Sequence, residues 1–156
     1  VTFDLDRFTR AQDGASGFAT ALAELEAGRK RSHWIWYVFP QLAGLGQSSA
    51  AILYGLQGVE EATAYLRDRV LRDRLLRVTD AVLAQLQREL APALTDVMGS
   101  EVDALKLISS MTLFREVARR IDDRDIATRA EAILRAARNQ GHRECEFTLR
   151  ELARQA

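Results

Sequence analysis

A chain of 156 residues, 47% hydrophobic and 28% charged, is long enough for one domain with a real core and too short for two comfortable ones. Its 22 basic and 22 acidic residues cancel, so no global field draws it to nucleic acid or an anionic membrane, and such a partner would have to meet a local patch. No apolar run approaches a membrane span, Asp4, Asp6 and Asp13 deny the opening segment the character of a signal peptide, and one cysteine, Cys145, supports neither disulfides nor a zinc site, which leaves a cytoplasmic protein without metal or cofactor as the expectation.

Apolar residues recur mostly at helical spacing and hairpin punctuation is nearly absent, so the predicted class is all-α, a compact single-domain bundle of about seven to nine helices, some short. Leu5 and Phe8 mark the first helix, and Phe18, Leu22 and Leu25 the second, with Asp4 and Asp13 as candidate caps and Gly28 as the stop. Ser48 to Tyr54 and Val59 to Arg67 read as short helices punctuated by Gly55 and Gly58. From Val70 to about Arg88 a stripe of Leu71, Leu75, Val78, Val82 and Leu86 predicts a longer one. Pro92 and Gly99 bracket a turn over Ala93 to Met98, and Ser100 with Asp103 forms a capping box for a helix to about Arg120. Asp122 or Asp123 opens the next helix, to about Arg138, and a last amphipathic one carries Cys145, Phe147, Leu149 and Leu152.

Two stretches break this plain pattern. Residues 29–46, RKRSHWIWYVFPQLAGLG, join three consecutive cations to a dense aromatic block. The block reads as a short helix capped by Ser32. Arg29, Lys30 and Arg31 would then stand at its positive end and suit a bound phosphate or carboxylate; the competing reading sets them after the C-terminus of the preceding helix, where positive charge is favourable. Trp34 and Phe39 read as core, whereas Trp36 and Tyr37 divide between core and a stacking wall for a flat ligand. His33 is the one catalytic candidate, as a general base; His142 suggests no metal site. The second stretch, Lys106 to Phe114, places Leu107, Met111 and Phe114 on a buried stripe and Lys106 with Ser110 on its flank. Lys30 and Lys106 are the only lysines, and Lys106, Ser109, Ser110 and Thr112 are candidate ligands of an anion.

Other patterns carry less. The glycines fit neither a dinucleotide fingerprint nor a P-loop. The arginines from Arg67 to Arg77 are interrupted by Asp68 and Asp73 and read as a solvated helix face. Glu60, Glu61, Asp103 and Glu116 read as surface carboxylates, and no spacing identifies an acid–base pair, so no reaction is assigned.

The stretch 29–46, followed by Tyr54-Gly55, Glu61-Ala62, Ala64-Tyr65-Leu66 and the run Ser109 to Phe114, closely resembles the family catalogued as domain of unknown function 1810. The likeness spans a core of residues 4–120 and leaves 121–156 as divergent C-terminal helices; Ala104 and Ile108 stand where similar proteins are often more polar. The resemblance implies a small, mainly helical single-domain fold and no particular activity. The functional expectation is that the two unusual stretches converge into one pocket for a small anionic, nucleotide or ADP-ribose-like ligand. Lys30, Arg31 and Lys106 would meet its charge and Trp36 and Tyr37 its ring, while His33, Gln41, Ser109, Ser110 and Thr112 would orient it or move protons. The alternative is a helical protein–protein interaction module without catalytic activity, facing a protein partner or a second copy; nucleic acid is the disfavoured partner.

Overall fold

Ten helices make up the regular structure of residues 2–155, the residues that the computed structural model describes. They are α1 (Asp6–Gln12), α2 (Phe18–Glu26), α3 (Ile35–Val38), α4 (Ser49–Tyr54) and α5 (Val59–Arg67) in the first half. The second half holds α6 (Arg69–Leu86), α7 (Leu94–Val97), α8 (Glu101–Arg120), α9 (Arg124–Asn139) and α10 (Glu146–Arg154). The class is all-α; among the described residues there is no strand, only an isolated parallel bridge between Leu42 and Leu56.

Four of these starts are written in the sequence as side-chain caps. Ser48 Oγ accepts from Ala51 N (3.2 Å), Asp68 Oδ1 from Leu71 N (3.0 Å), Ser100 Oγ from Asp103 N (3.1 Å) and Asp123 Oδ1 from Ile126 N (3.3 Å). Each satisfies a backbone donor that the first helical turn leaves orphaned, worth about 1 kcal/mol. Three expectations need correction. Neither Asp4 nor Asp13 caps a helix: Leu5 and Gly17 hold the cap positions of α1 and α2, and the two aspartates pair instead with Arg10 and Arg74. The segment bracketed by Pro92 and Gly99 holds a full helical turn, α7. The aromatic block contains only the single turn α3, whose cap position is Trp34, so Ser32 caps nothing.

Burial explains why α8 is the centre. Its residues from Leu107 to Phe114 are all buried, so it is apolar around most of its girth and must be surrounded. Helices α3, α5, α7, α9 and α10 pack against it, and α6 forms a second layer against α2 and α9. Aromatic edges tie the two halves of the chain together: Phe8 meets Tyr65 edge-on at 5.1 Å, and Tyr65 meets Phe114 at 5.3 Å. The Tyr65 hydroxyl is fully buried, which pushes its ionisation well above the usual phenol range, and Gln12 Nε2 donates to it at 3.2 Å.

Two buried charges complete the frame. Glu61, expected at the surface, is only 2% exposed. The guanidinium of Arg7 forks onto it (2.8 and 3.3 Å), and Gln57 N donates to the same carboxylate at 2.9 Å. Arg7 also donates to the carbonyls of Leu53 and Gly55, so one ion pair fastens α1 to the α4–α5 link. Arg115 on α8 is held by Glu116, Glu131 and Glu144, which secures α9 and the approach to α10.

Removing one partner of a buried pair strands the other. Glu61→Ala is therefore expected to lower the urea unfolding free energy by about 3 kcal/mol or more, while Glu60→Ala on the exposed face of α5 stays within about 0.5 kcal/mol. Equal costs for the two variants would contradict the assignment of Glu61 as a structural charge.

Candidate functional site

The link from α2 to α3 is organised by one carboxylate that the sequence reading did not single out. Helix α2 ends in a left-handed turn: Gly28 has φ +96°, Gly28 N donates to Leu25 O and Arg29 N reaches back to Glu24 O, each at 3.0 Å. The chain then doubles back over Glu24. Its carboxylate accepts four bonds, from Arg31 N (2.7 Å), Ser32 N (2.9 Å), Ser32 Oγ (2.5 Å) and Trp34 Nε1 (2.9 Å). Partial burial alone would raise the carboxyl's pKa, but these bonds to the ionised form outweigh it and hold Glu24 at about 2. Arg29 and Arg31 thus follow the C-terminus of α2, and the cationic triplet does not stand at the N-terminus of α3.

Lys30 leaves this turn towards the interior. Its side chain is 4% exposed, and its ammonium donates to Ser32 O at 2.5 Å, lies 2.8 Å from Asp103 Oδ2 and stands 4.9 Å from the Trp34 ring centroid. Backbone contact fixes the approach from the other side. Lys30 N donates to Val97 O at 2.7 Å, and Gly99, at φ +81°, sits so close that a Cβ there would come within 2.6 Å of Lys30 O. Only glycine meets both demands.

Asp103 opens the exposed end of α8 and is shared. Its Oδ2 faces Lys30, and its Oδ1 lies 3.4 Å from Lys106 Nζ one helical turn on. Lys106 in turn lies over the face of Trp36, 4.1 Å from the ring centroid. Both lysines and both tryptophans of the chain therefore meet around one carboxylate. The cluster is packed: Trp34 is fully buried and Lys30 nearly so, while Lys106, Asp103 and Trp36 reach solvent. Two ammonium groups against one carboxylate leave one unit of positive charge, at the partly exposed Lys106.

The remaining candidates divide. Ser110 lies one turn beyond Lys106 on the same strip of α8, its hydroxyl buried and without a partner among the described residues. Ser109 is buried on the opposite flank of Lys106. Thr112 is about a third of a turn away, donating to Ile108 O at 2.8 Å and accepting from Cys145 N at 3.4 Å, so it serves the α8–α10 contact. Tyr37 is turned to α1 and α4: its hydroxyl donates to Ser16 O at 2.5 Å and its ring meets Tyr54 at 5.2 Å. Burial, and then Tyr54, push that phenol's pKa up. Gln41 is buried in the 41–43 segment, where its carbonyl accepts from Leu56 N. His33 and Arg31 are exposed, and no hydrogen bond or ion pair to either side chain occurs among the described residues. Ala104 and Ile108 are core positions. Among the described residues no group of His, Cys, Asp and Glu is arranged to hold a metal, and no helix is long and apolar enough to cross a membrane.

Residues 2–140 match the family model described as protein of unknown function (DUF1810). The fold is similar to the crystal structure of the conserved hypothetical protein Rv1873 from Mycobacterium tuberculosis, with 38% identity, 97% of each chain covered and a TM-score of 0.78. No curated protein matches the chain.

The Glu24 clamp has a defined pH signature. Its folded-state pKa lies below the ordinary carboxyl value, so its stabilisation is complete above about 4.5 and is lost as the pH falls through that value towards about 2. The stability gap between wild type and Glu24→Gln, read from urea unfolding at a series of pH values, should be widest near neutrality and close across that window. A gap that stays constant would show that the charged form is not what the turn binds.

Proposed function

The chain belongs to the DUF1810 family of proteins of unknown function, and we propose that it binds a small anionic, nucleotide-like ligand at the surface formed by Lys106, Asp103 and Trp36. The observation that supports this reading is the convergence of every lysine and tryptophan of the chain on a single carboxylate. In this reading Lys30 is the fixed cation. It has three partners, is almost wholly buried, and neutralises Asp103 at close range. Lys106 is the adjustable one: its contact with Asp103 is long and its side chain 21% exposed. A phosphate or carboxylate competes with Asp103 for Lys106 at small cost, because Asp103 keeps Lys30. Lys106 lies over the half-buried Trp36 indole, so a base or sugar face meets that ring as the ammonium moves to the anion, and Ser110, whose hydroxyl has no partner among the described residues, lies one turn below.

A second reading has its own support. Val102 and Leu105, 61% and 48% exposed, border Lys106 on the same end of α8, where a protein partner would cover them.

Because Trp34 and Trp36 are the only tryptophans, intrinsic fluorescence excited at the red edge, where nucleotides do not absorb, reports on this surface alone. Titration with AMP and with ADP-ribose is expected to give a saturable change, with inorganic phosphate weaker. Lys106→Met, which keeps the packing on Trp36, should weaken binding about ten-fold. No saturable change with any of the three, or equal affinity in the variant, would overturn the reading. Sedimentation that shifts with concentration and is abolished by Leu105→Asp would favour the second.

A further inference from the structure

The arginine run from Arg67 to Arg77 is largely solvated, as its spacing predicts, and it also borders a cleft. A cleft of about 840 Å³ is lined by Arg67, Arg69, Arg72, Arg74 and Arg77, with Phe18 in its wall and Asp73 as its one acidic residue. Asp68, which breaks the run in sequence, is turned away to cap α6 and does not line the cleft. Arg67 comes from the end of α5 and Phe18 from the start of α2, so three elements contribute rather than one helix.

The guanidiniums differ in how they are held. Arg72 spends Nε and one Nη on Asp123, both at 2.9 Å, which leaves its other Nη free. Arg74 is fixed by Asp13 at 2.7 Å and by Gln12 at 3.2 Å. Arg74 and Arg77 both lie over the Phe18 ring, 5.5 and 5.1 Å from its centroid. Stacking orients a guanidinium plane without using its N–H donors. Arg67, Arg69 and Arg77 form no ion pair among the described residues, unlike Arg72 and Arg74 beside them. Three arginines without an ion-pair partner, Arg67, Arg69 and Arg77, thus stand beside two that are held by Asp13, Asp123 and Asp125, and the cleft presents local positive charge with many planar donors.

We propose that this cleft binds an oligophosphate, the anion whose closely spaced charges and acceptor oxygens match several guanidiniums at once. The Phe18 ring is already covered by Arg74 and Arg77, so a nucleobase gains little there and the phosphate chain carries the affinity. With no net charge on the chain, capture is local.

Calorimetric titration of the full chain with inorganic tripolyphosphate at low salt tests this. Tripolyphosphate should bind well above orthophosphate, weaken steeply with added salt, and be matched by ATP within about ten-fold. Arg69→Gln combined with Arg77→Gln, at exposed positions, should leave the thermal unfolding curve in place and weaken binding about ten-fold or more. In the Lys106→Met background, which removes the tryptophan surface as a competing phosphate site, tripolyphosphate and ATP binding should persist, and this separates the two sites. Absence of binding, equal binding by the double variant, loss with Lys106→Met, or ATP far tighter than tripolyphosphate would each overturn the proposal.

Discussion

A lysine ammonium that is 4% exposed cannot be left without partners, and much of the architecture around it follows from that constraint. Lys30 sits where the chain leaves α2, and its charge is satisfied by a carbonyl from its own turn, a carboxylate from α8 and the face of Trp34. Each partner has to be delivered by a different device. The Glu24 carboxylate closes the turn that presents Ser32 and Trp34, the left-handed Gly28 reverses the chain, and the bare backbone of Gly99 lets α7 and the start of α8 come close enough for Asp103 to reach. Because Asp103 must face Lys30, Lys106 one turn later on α8 is brought to the same carboxylate, and Trp36 beneath it becomes the outer layer.

The other ionic systems are balanced differently. Arg7 is saturated by Glu61 and three carbonyls, and Arg115 is surrounded by three glutamates. Both are closed networks in which every charge has a fixed answer, and both hold helices together. Around Asp103 two ammonium groups face one carboxylate, and beside Phe18 Arg67, Arg69 and Arg77 form no ion pair among the described residues. Both proposed anion sites rest on that local imbalance, which is invisible in a chain whose 22 basic and 22 acidic residues sum to nothing.

The helical frame was legible because it is written in local rules. Ser48, Asp68, Ser100 and Asp123 each stand just before an apolar-periodic run, and each caps. Where the signal was mixed the reading failed. Ser32 stands before an apolar run like a cap, but the run is apolar on all sides and supports one turn only, while its hydroxyl goes to Glu24 eight residues back. Asp13 precedes Phe18 by too much chain to cap α2 and is drawn to Arg74. For the candidate surface, residue rarity picked out Lys30, Lys106 and Trp36. The carboxylates were missed, because the Lys30 to Asp103 pairing joins positions with no periodic relation. Only the three-residue spacing of Asp103 and Lys106 offered a local hint. Thr112 and Tyr37 were grouped with them by proximity in sequence, and the turn of each helix carries them elsewhere.

The two lysines share a carboxylate and differ in exposure, Lys30 almost wholly buried and Lys106 partly open, and the proposed site requires Lys106 alone to change partner. With only two lysines in the chain, proton–nitrogen NMR of the side-chain ammonium groups resolves them individually. The Lys30 ammonium is expected to exchange slowly and to stay in place as AMP is added, and the Lys106 ammonium signal to move to a saturating position. Two lysines that exchange alike with solvent, or an AMP titration that leaves Lys106 unmoved, would contradict this reading.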